Sequence, residues 1–283
     1  MFKLKTIIKY FRFNPIVKTL LKLCGKQLNP NKWVFIIGCY NSGTTLLEKL
    51  LSQHPLISSL EDEGVILSGY LNRPEDFKWT RMWWKCYDKV KLTNQSEHKN
   101  LATNIKKHWS HFYDLGKSIF LEKSIVNTTR IPFFAKFFTP AYFIYIVRDG
   151  YAVSEGIRRK AEPLKYGNEK YSNGYPIEMC AQQWVVTDEI VQMNKKHCEN
   201  FLQITYEELS ENPESVLASI AEFLGIEPLN SNVFKNMYSI HEKHVKIQNM
   251  NNRSWNNLSD TDIDIIYNIA EPILRKHGYS RPK

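Results

Sequence analysis

The chain has 283 residues, 43% of them hydrophobic, which is enough for the core of one large α/β domain or two small ones and argues against disorder. A formal net charge of +9 suits an anionic ligand, a nucleic acid or an acidic membrane surface, but the sequence contains no nucleic-acid recognition module and we expect no such partner. Five scattered cysteines without a C-x-x-C pair give no sign of a zinc site or a disulfide framework, and they indicate a reducing compartment.

The amino-terminal residues 1–28 are basic and amphipathic. Apolar residues recur at helical spacing among lysines and an arginine, and the pattern breaks at Asn14-Pro15. We expect a helix that packs on the domain or trails from it, with an interfacial membrane anchor as the alternative. The unbroken apolar runs are far shorter than the ~20 residues that a membrane span needs. We therefore expect no transmembrane segment, at most a peripheral membrane contact through residues 1–28, and a cytoplasmic protein.

Predicted strands and helices alternate along the rest of the chain. A strand at 33–37 ends in a glycine loop, a helix follows at 44–53, and the stretch 61–115 is helical and rich in loops. Later strands are predicted at 119–122, 142–147 and 201–205, and later helices at 127–138, 149–160, 176–198, 212–223 and 260–277. Strands separated by helices imply a three-layer α/β domain of the P-loop type, with a mostly parallel central sheet flanked by helices. We divide the chain into a basic extension, 1–30, and a single domain, 31–283.

The glycine loop between the first strand and the first helix reads Gly38-Cys-Tyr-Asn-Ser-Gly-Thr-Thr45. Its backbone N–H groups and the positive end of the helix can hold an anion, although a glycine turn that only opens a helix is the alternative. The spacing matches the G-x-x-x-x-G of a Walker A loop, but Thr44 stands where an ATP- or GTP-binding loop places its lysine. A donor with one bridging phosphate needs only N–H groups and the hydroxyls of Ser42, Thr44 and Thr45. The loop therefore argues against an NTPase.

The run Ser42-Gly-Thr-Thr-Leu-Leu47, followed by His54-Pro55, resembles the 5′-phosphosulfate loop of sulfotransferases, especially the carbohydrate- and tyrosylprotein-modifying branch. This resemblance, with later landmarks, spans roughly residues 33–278. It implies transfer of a sulfuryl group from 3′-phosphoadenylyl sulfate (PAPS) to a hydroxyl or amine of a carbohydrate, lipid, small molecule or peptide, without a metal. The implied donor-binding residues are Asn41, Ser42, Gly43, Thr44 and Thr45. Asn41 departs from the family, which usually has arginine or lysine at this position.

Arg148 ends a predicted strand and resembles the arginine of the family's 3′-phosphate motif. At the carboxyl edge of a parallel sheet its planar guanidinium can grip a terminal phosphate with two hydrogen bonds. The alternative is a surface ion pair with Asp149. The family places a serine eight positions after this arginine, where the present chain has Gly156. Ser154 is the nearest serine, and we predict it as the substitute ligand.

Other donor contacts follow from the same resemblance. Lys123, in a Glu-Lys-Ser run, corresponds to the lysine that stabilises the bridging oxygen as its bond to sulfur breaks, although a solvated surface lysine is the alternative. Tyr206 is a candidate nucleotide contact or a packed aromatic residue. Arg253 lies where some relatives place a basic residue on the donor.

The acceptor must lose a proton during attack, which requires a carboxylate or a histidine within hydrogen-bond reach. The cluster of Glu61, Asp62 and Glu63 is the main candidate: Asp62 matches the base of the tyrosylprotein branch by spacing, Glu61 matches it by side-chain type, and a solvated acidic turn is the alternative. His108 and His111 are a rival pair.

Two other functions remain open at this stage, a P-loop kinase and a nucleotide-binding relative without catalytic activity. The tryptophans between positions 79 and 109 either pack in the core or stack on an acceptor. Nothing in the sequence identifies the acceptor or the oligomeric state.

Overall fold

The computed structural model of the chain describes residues 6, 8, 10–229, 238–240, 243–245 and 247–282. Part of the amphipathic pattern in the extension lies outside the described residues.

The centre of the fold is a five-stranded parallel sheet in the order β2-β3-β1-β4-β5. Its strands are β1 (Lys32–Gly38), β2 (Ile57–Ser59), β3 (Ile119–Glu122), β4 (Ala141–Val147) and β5 (Asn200–Thr205). A separate antiparallel pair contains β6 (Tyr238–Ile240) and β7 (Lys243–Val245). The α/β class and the parallel sheet are as predicted. Strand β2 was not predicted, because it is only three residues long and two of them are serines.

Helices surround the sheet. They are α1 (Pro15–Cys24), α2 (Thr44–Leu51), α3 (Tyr87–Val90), α4 (Lys99–Trp109), α5 (Ile131–Phe137), α6 (Gly150–Lys160), α7 (Ile177–Asn194), α8 (Tyr206–Glu211), α9 (Pro213–Leu224), α10 (Asn251–Trp255) and α11 (Asp260–Lys276). Turns of 3₁₀ helix lie at Pro74–Phe77, Trp83–Cys86, Ser96–His98, Ile125–Arg130, Leu164–Tyr166, Glu169–Tyr171 and Lys195–His197.

Two predicted helices differ from the structure at their ends. The helix predicted at 127–138 begins as the 3₁₀ turn Ile125–Arg130, and the α-helix starts only at Ile131, with Pro132 in its first turn. Buried Arg130 explains this start, since its guanidinium bonds to the carbonyl oxygens of Val90 and Asn72. The helix predicted at 176–198 ends at Asn194.

The three central strands, β3, β1 and β4, are buried on both faces and therefore read as largely apolar runs. Trp33 and Phe35 of β1 pack into one core, and Val34 and Ile36 into the other, because neighbouring side chains of a strand point to opposite faces. Helix α2 covers the second face. Its first turn is thereby fixed at the carboxyl end of β1.

The tryptophan-rich region belongs largely to the core. Trp83 and Trp109 are fully buried, and the indole N–H of Trp109 donates to the carbonyl oxygen of Gly64. Trp79 is partly buried and packs beside Tyr171. Core packing is therefore the correct interpretation of Trp83 and Trp109.

The described part of the amino-terminal extension packs on the domain. Asn14 marks the predicted break, and its side-chain oxygen caps α1 by accepting from the N–H groups of Ile16 and Val17. Arg12 is buried and donates to the carbonyl oxygens of Val65 and Leu71. Among the described residues, no helix is both long and apolar enough to cross a bilayer.

Candidate active site

The predicted site residues follow the carboxyl ends of five parallel strands, which meet at one edge of the sheet. The glycine loop follows β1, the acidic cluster follows β2, Lys123 follows β3, Arg148 follows β4 and Tyr206 follows β5. Segments that are distant in sequence are thus brought to one crevice.

The loop between β1 and α2 presents a set of hydrogen-bond donors. The first N–H groups of α2 have no partner within the helix, and the buried hydroxyl of Ser42 has none among the described residues. Gly43 has a φ of 91°, and a Cβ atom there would lie 2.6 Å from Cδ2 of Tyr206. Only glycine fits this turn against the tyrosine ring. The geometry suits an anion held at the start of α2.

Arg148 is built into the crevice rather than paired on the surface. It is 8% exposed, and its Nε donates to Oδ1 of Asn251 at 2.8 Å while its Nη1 donates to the carbonyl oxygen of Asn41 at 2.7 Å. The guanidinium carbon lies 4.1 Å from the centre of the Tyr206 ring. Burial lowers the pKa of Arg148, but an arginine remains charged at neutral pH. A fixed cation therefore borders the loop.

Asp149, the alternative surface partner of Arg148, has a different role. Its carboxylate caps α6 by accepting from the N–H of Ala152, and it also accepts from the indole N–H of Trp255. Burial raises the pKa of Asp149 to about 6. The surface-pair interpretation of Arg148 is therefore not what the structure shows.

Lys123 lies between two carboxylates. Its Nζ is 3.1 Å from Oε1 of Glu63 and 3.8 Å from Oε2 of Glu48, and the lysine is 9% exposed. Burial alone would lower its pKa, but the two glutamates outweigh this and hold the pKa above its usual value. Burial raises the pKa of Glu48, and Lys123 opposes that shift. Lys123 is thus a protonated, positioned cation and not a solvated surface residue.

The acidic cluster is tied to the end of β3. The N–H of Gly64 donates to Oε1 of Glu122, and the N–H of Val65 donates to the hydroxyl of Ser124. Burial raises the pKa of Glu122 to about 7, although its hydrogen bonds to Ser124, Gly64 and Asn127 oppose the shift. Glu122 therefore fixes the loop after β2 beside Lys123.

A family model described as the sulfotransferase family matches residues 34–230. The chain belongs to the sulfotransferase family. It is similar to protein-tyrosine sulfotransferase A of Caenorhabditis elegans, with 24% identity over 87% of this chain and 67% of that protein. Protein-tyrosine sulfotransferase 2 of Gallus gallus is 27% identical over 68% of this chain and 51% of that protein. A solved sulfotransferase from Mycobacterium avium has the same fold, with a TM-score of 0.56, 14% identity and coverage of 97% of this chain and 82% of that one.

The family assignment confirms the predicted enzyme class, a PAPS-dependent sulfotransferase, and the relatives place it near the tyrosylprotein branch. The alternative of a P-loop kinase is set aside. Among the described residues no cluster of side chains is suited to hold a metal ion.

Two predicted ligands of this sulfotransferase lie apart from the hydrogen-bonded residues around Arg148. The hydroxyl of Ser154 is buried and donates to the carbonyl oxygen of Gly150 within α6. Arg253 is exposed on α10. Neither side chain contacts Arg148 or the glycine loop through a hydrogen bond in the described structure.

The rival histidines are engaged elsewhere. The Nε2 atoms of His108 and His111 lie 3.1 Å and 2.9 Å from the carbonyl oxygens of Lys18 and Leu21 in α1. Burial lowers the pKa of His108 to about 4. These residues dock the amino-terminal helix, which explains them without a catalytic role.

The sequence did not reveal three residues that shape the site. Glu48 reads as one polar residue in an apolar helix, yet its carboxylate faces Lys123. Asn251 bridges Arg148 to Glu207, donating to that carboxylate at 2.6 Å. These partners come from distant segments, so only the tertiary structure identifies them.

Proposed function

We propose that this sulfotransferase transfers the sulfuryl group by in-line displacement, with the donor held between the glycine loop and Arg148. The N–H groups at the start of α2 and the hydroxyls of Ser42, Thr44 and Thr45 hold the phosphosulfate, and Arg148 holds the 3′-phosphate. The observation that carries the proposal is the buried cation of Lys123, fixed by two carboxylates beside that loop.

Lys123 stabilises the leaving group. The acceptor oxygen forms a bond to sulfur as the bond between sulfur and the bridging oxygen breaks, and the electron pair of that bond remains on the phosphate of the product, adenosine 3′,5′-bisphosphate. Because negative charge grows on the bridging oxygen, a nearby cation stabilises the transition state more than the bound substrate. Positioning of donor and acceptor supplies much of the remaining rate enhancement.

We propose Asp62 as the base. Attacking and leaving oxygens lie on opposite sides of the sulfur in an in-line displacement, so a carboxylate bound to the cation on the leaving side is poorly placed to take the acceptor's proton. Glu63 is that carboxylate, at 3.1 Å from Lys123. Asp62 is the neighbouring acid, and one oxygen of its carboxylate accepts from the N–H of Glu63 at 2.9 Å. Glu63 is then a residue that positions Lys123.

We propose the phenolic hydroxyl of a peptide tyrosine as the acceptor, because both curated relatives are named protein-tyrosine sulfotransferases. Incubation with sulfur-labelled PAPS should label a tyrosine peptide and leave the matched phenylalanine peptide unlabelled. Label found only on carbohydrates, lipids or small molecules would contradict this choice of acceptor. Turnover of none of them would favour the nucleotide-binding relative without activity.

The same assay tests the base. Asp62→Asn should lower kcat by about 10²–10⁴-fold, because it removes the group that takes the acceptor's proton. Glu63→Gln should lower kcat less. Glu61→Gln is the matched control, since Glu61 is exposed, and should change kcat less than either variant. If Glu63→Gln lowers kcat more than Asp62→Asn does, our assignment of the base is wrong.

Four predictions from the sequence stay predictions: the location in the cytoplasm, the peripheral membrane contact, the domain boundary at residue 30, and the donor contacts of Tyr206 and Arg253. The peripheral contact is supported by three apolar side chains exposed along one side of α1, at Ile16, Leu20 and Leu23, with basic Lys22 in its last turn. The cytoplasm is supported by five cysteines that are free thiols.

A further inference from the structure

The two departures from the family pattern, Asn41 and Gly156, are in contact with each other. A Cβ atom built on Gly156 would lie 3.0 Å from Cγ of Asn41 and 3.1 Å from both its Cβ and its Nδ2. Any larger residue at position 156 would press on the asparagine side chain. The absence of a side chain at 156 is therefore what gives the side chain of Asn41 its place against helix α6.

The side-chain amide of Asn41 is a buried hydrogen-bond donor in this position. Its Nδ2 atom is buried and has no hydrogen-bond partner among the described residues. A buried donor without a partner is destabilising, so such groups are normally satisfied by a ligand or by water. The backbone supports the arrangement, since Asn41 has a φ of 63°, a conformation that asparagine tolerates better than most residues.

The surroundings of this amide are cationic. The carbonyl oxygen of Asn41 accepts from Nη1 of Arg148, so the asparagine and the arginine are held together. Lys160 lies one helical turn beyond Gly156 on the same side of α6. Lys160 is exposed overall, but partial desolvation of its ammonium group and the nearby charges of Arg81, Arg159 and Arg148 lower its pKa to about 8. A donor beside several cations is suited to an anion.

Ser154 is not placed to bind an anion beside Asn41. Residues two apart on a helix are separated by about 200°, so Ser154 faces away from the side that Gly156 presents to Asn41. Its hydroxyl is already used within α6, where it donates to Gly150.

We propose that the side-chain amide of Asn41, seated in the space left by Gly156, is a ligand of the donor's 3′-phosphate beside Arg148. The pair of Asn41 and Gly156 thus replaces a serine hydroxyl at position 156. This inference rests on the proposed function, because it needs the donor in the crevice between the glycine loop and α6.

Calorimetric titrations with two nucleotides test the pair. Adenosine 3′,5′-bisphosphate carries the 3′-phosphate, and adenosine 5′-phosphosulfate lacks it. Asn41→Ala should weaken binding of the bisphosphate by about 10- to 100-fold, the effect of losing one hydrogen bond to a charged group, and should change binding of the phosphosulfate by less than about threefold. An equal loss for both nucleotides would overturn the assignment to the 3′-phosphate.

A double-mutant cycle tests the coupling. Gly156→Ser alone should weaken binding of the bisphosphate, because its Cβ displaces the asparagine, but the same change in the Asn41→Ala background should strengthen it several-fold. Gly156→Ala in that background fills the same space without a hydroxyl and should give no gain. Thermal unfolding of each variant checks that it folds. Stronger binding of the bisphosphate by Gly156→Ser in the wild-type background would contradict the coupling between positions 41 and 156.

If the wild-type protein does not bind the bisphosphate, the proposed function and this inference both fail. If it binds and Asn41→Ala has no effect, only this inference fails.

Discussion

Replacement of Lys123 by methionine is expected to lower kcat by about 10²–10³-fold while changing the Kd for adenosine 3′,5′-bisphosphate by only a few-fold. The ammonium stabilises charge that develops on the bridging oxygen during the reaction, and the product nucleotide is held mainly by the loop and Arg148. The loss should therefore appear in the rate of transfer. Single-turnover transfer from PAPS, beside a titration with the bisphosphate, measures the two effects separately.

The control for this variant follows from the two carboxylates around Lys123. Removal of the cation leaves Glu48 and Glu63 facing each other without their partner, and such a loss in a buried site is itself destabilising. The double variant Lys123→Met with Glu63→Gln removes one of these charges. It should regain thermal stability without regaining activity. Recovery of activity in the double variant would show that the single change acted through misfolding.

Replacement of Arg148 by alanine is expected to weaken binding of the bisphosphate by about 100-fold or more, since it removes charge-assisted hydrogen bonds to the 3′-phosphate. Arg148→Lys should recover only part of this loss, because an ammonium keeps the charge but lacks the planar fork. Titration of each variant with the bisphosphate and with adenosine 5′-phosphosulfate gives the preference for a 3′-phosphate.

Arg148 also supports the glycine loop through the carbonyl oxygen of Asn41, so its removal has a structural component. The ratio of the affinities for the bisphosphate and for adenosine 5′-phosphosulfate separates the lost phosphate contact from the structural effect. Loss of the 3′-phosphate contact reduces the preference for the bisphosphate, whereas loosening of the loop weakens binding of both nucleotides equally. Arg275→Ala is a matched control, since Arg275 is an exposed arginine on α11 that pairs with Glu271. An unchanged preference in Arg148→Ala would contradict the assignment.

The sequence predicts the centre of the fold because its strands are buried on both faces and therefore read as apolar runs. Strands β3 and β4 lie within one residue of their predicted bounds, and helix α9 ends at Leu224, one residue after its predicted end, where Gly225 takes the left-handed conformation with a φ of 57°. The edge strand β2 and the 3₁₀ turn before α5 escape prediction. The turn is fixed by hydrogen bonds from its own Arg130 to the carbonyl oxygens of Val90 and Asn72, and β2 is fixed by pairing with β3, so both depend on segments that are distant in sequence.

The candidate site also contains residues that the sequence predicts and residues that only the structure reveals. Motif residues that follow a strand, such as Lys123 and Arg148, are found where parallel strands end, and the sequence is sufficient to place them at one edge. Their partners are not found this way. Glu48 reaches Lys123 from a helix, and Asn251 reaches Arg148 from a segment 103 residues later. In the sequence, Asn41 and Gly156 are two separate departures from the family pattern. Only the structure shows that these two residues are in contact.

Calorimetric titration of the wild-type protein with adenosine 3′,5′-bisphosphate, compared with ATP in the presence of Mg²⁺, tests the central claim most directly. We expect the bisphosphate to bind in the micromolar range and ATP to bind far more weakly, because the loop has Thr44 in place of the lysine that ATP-binding loops use. Failure to bind the bisphosphate, or a preference for ATP with Mg²⁺, would contradict the account of this crevice as a PAPS site.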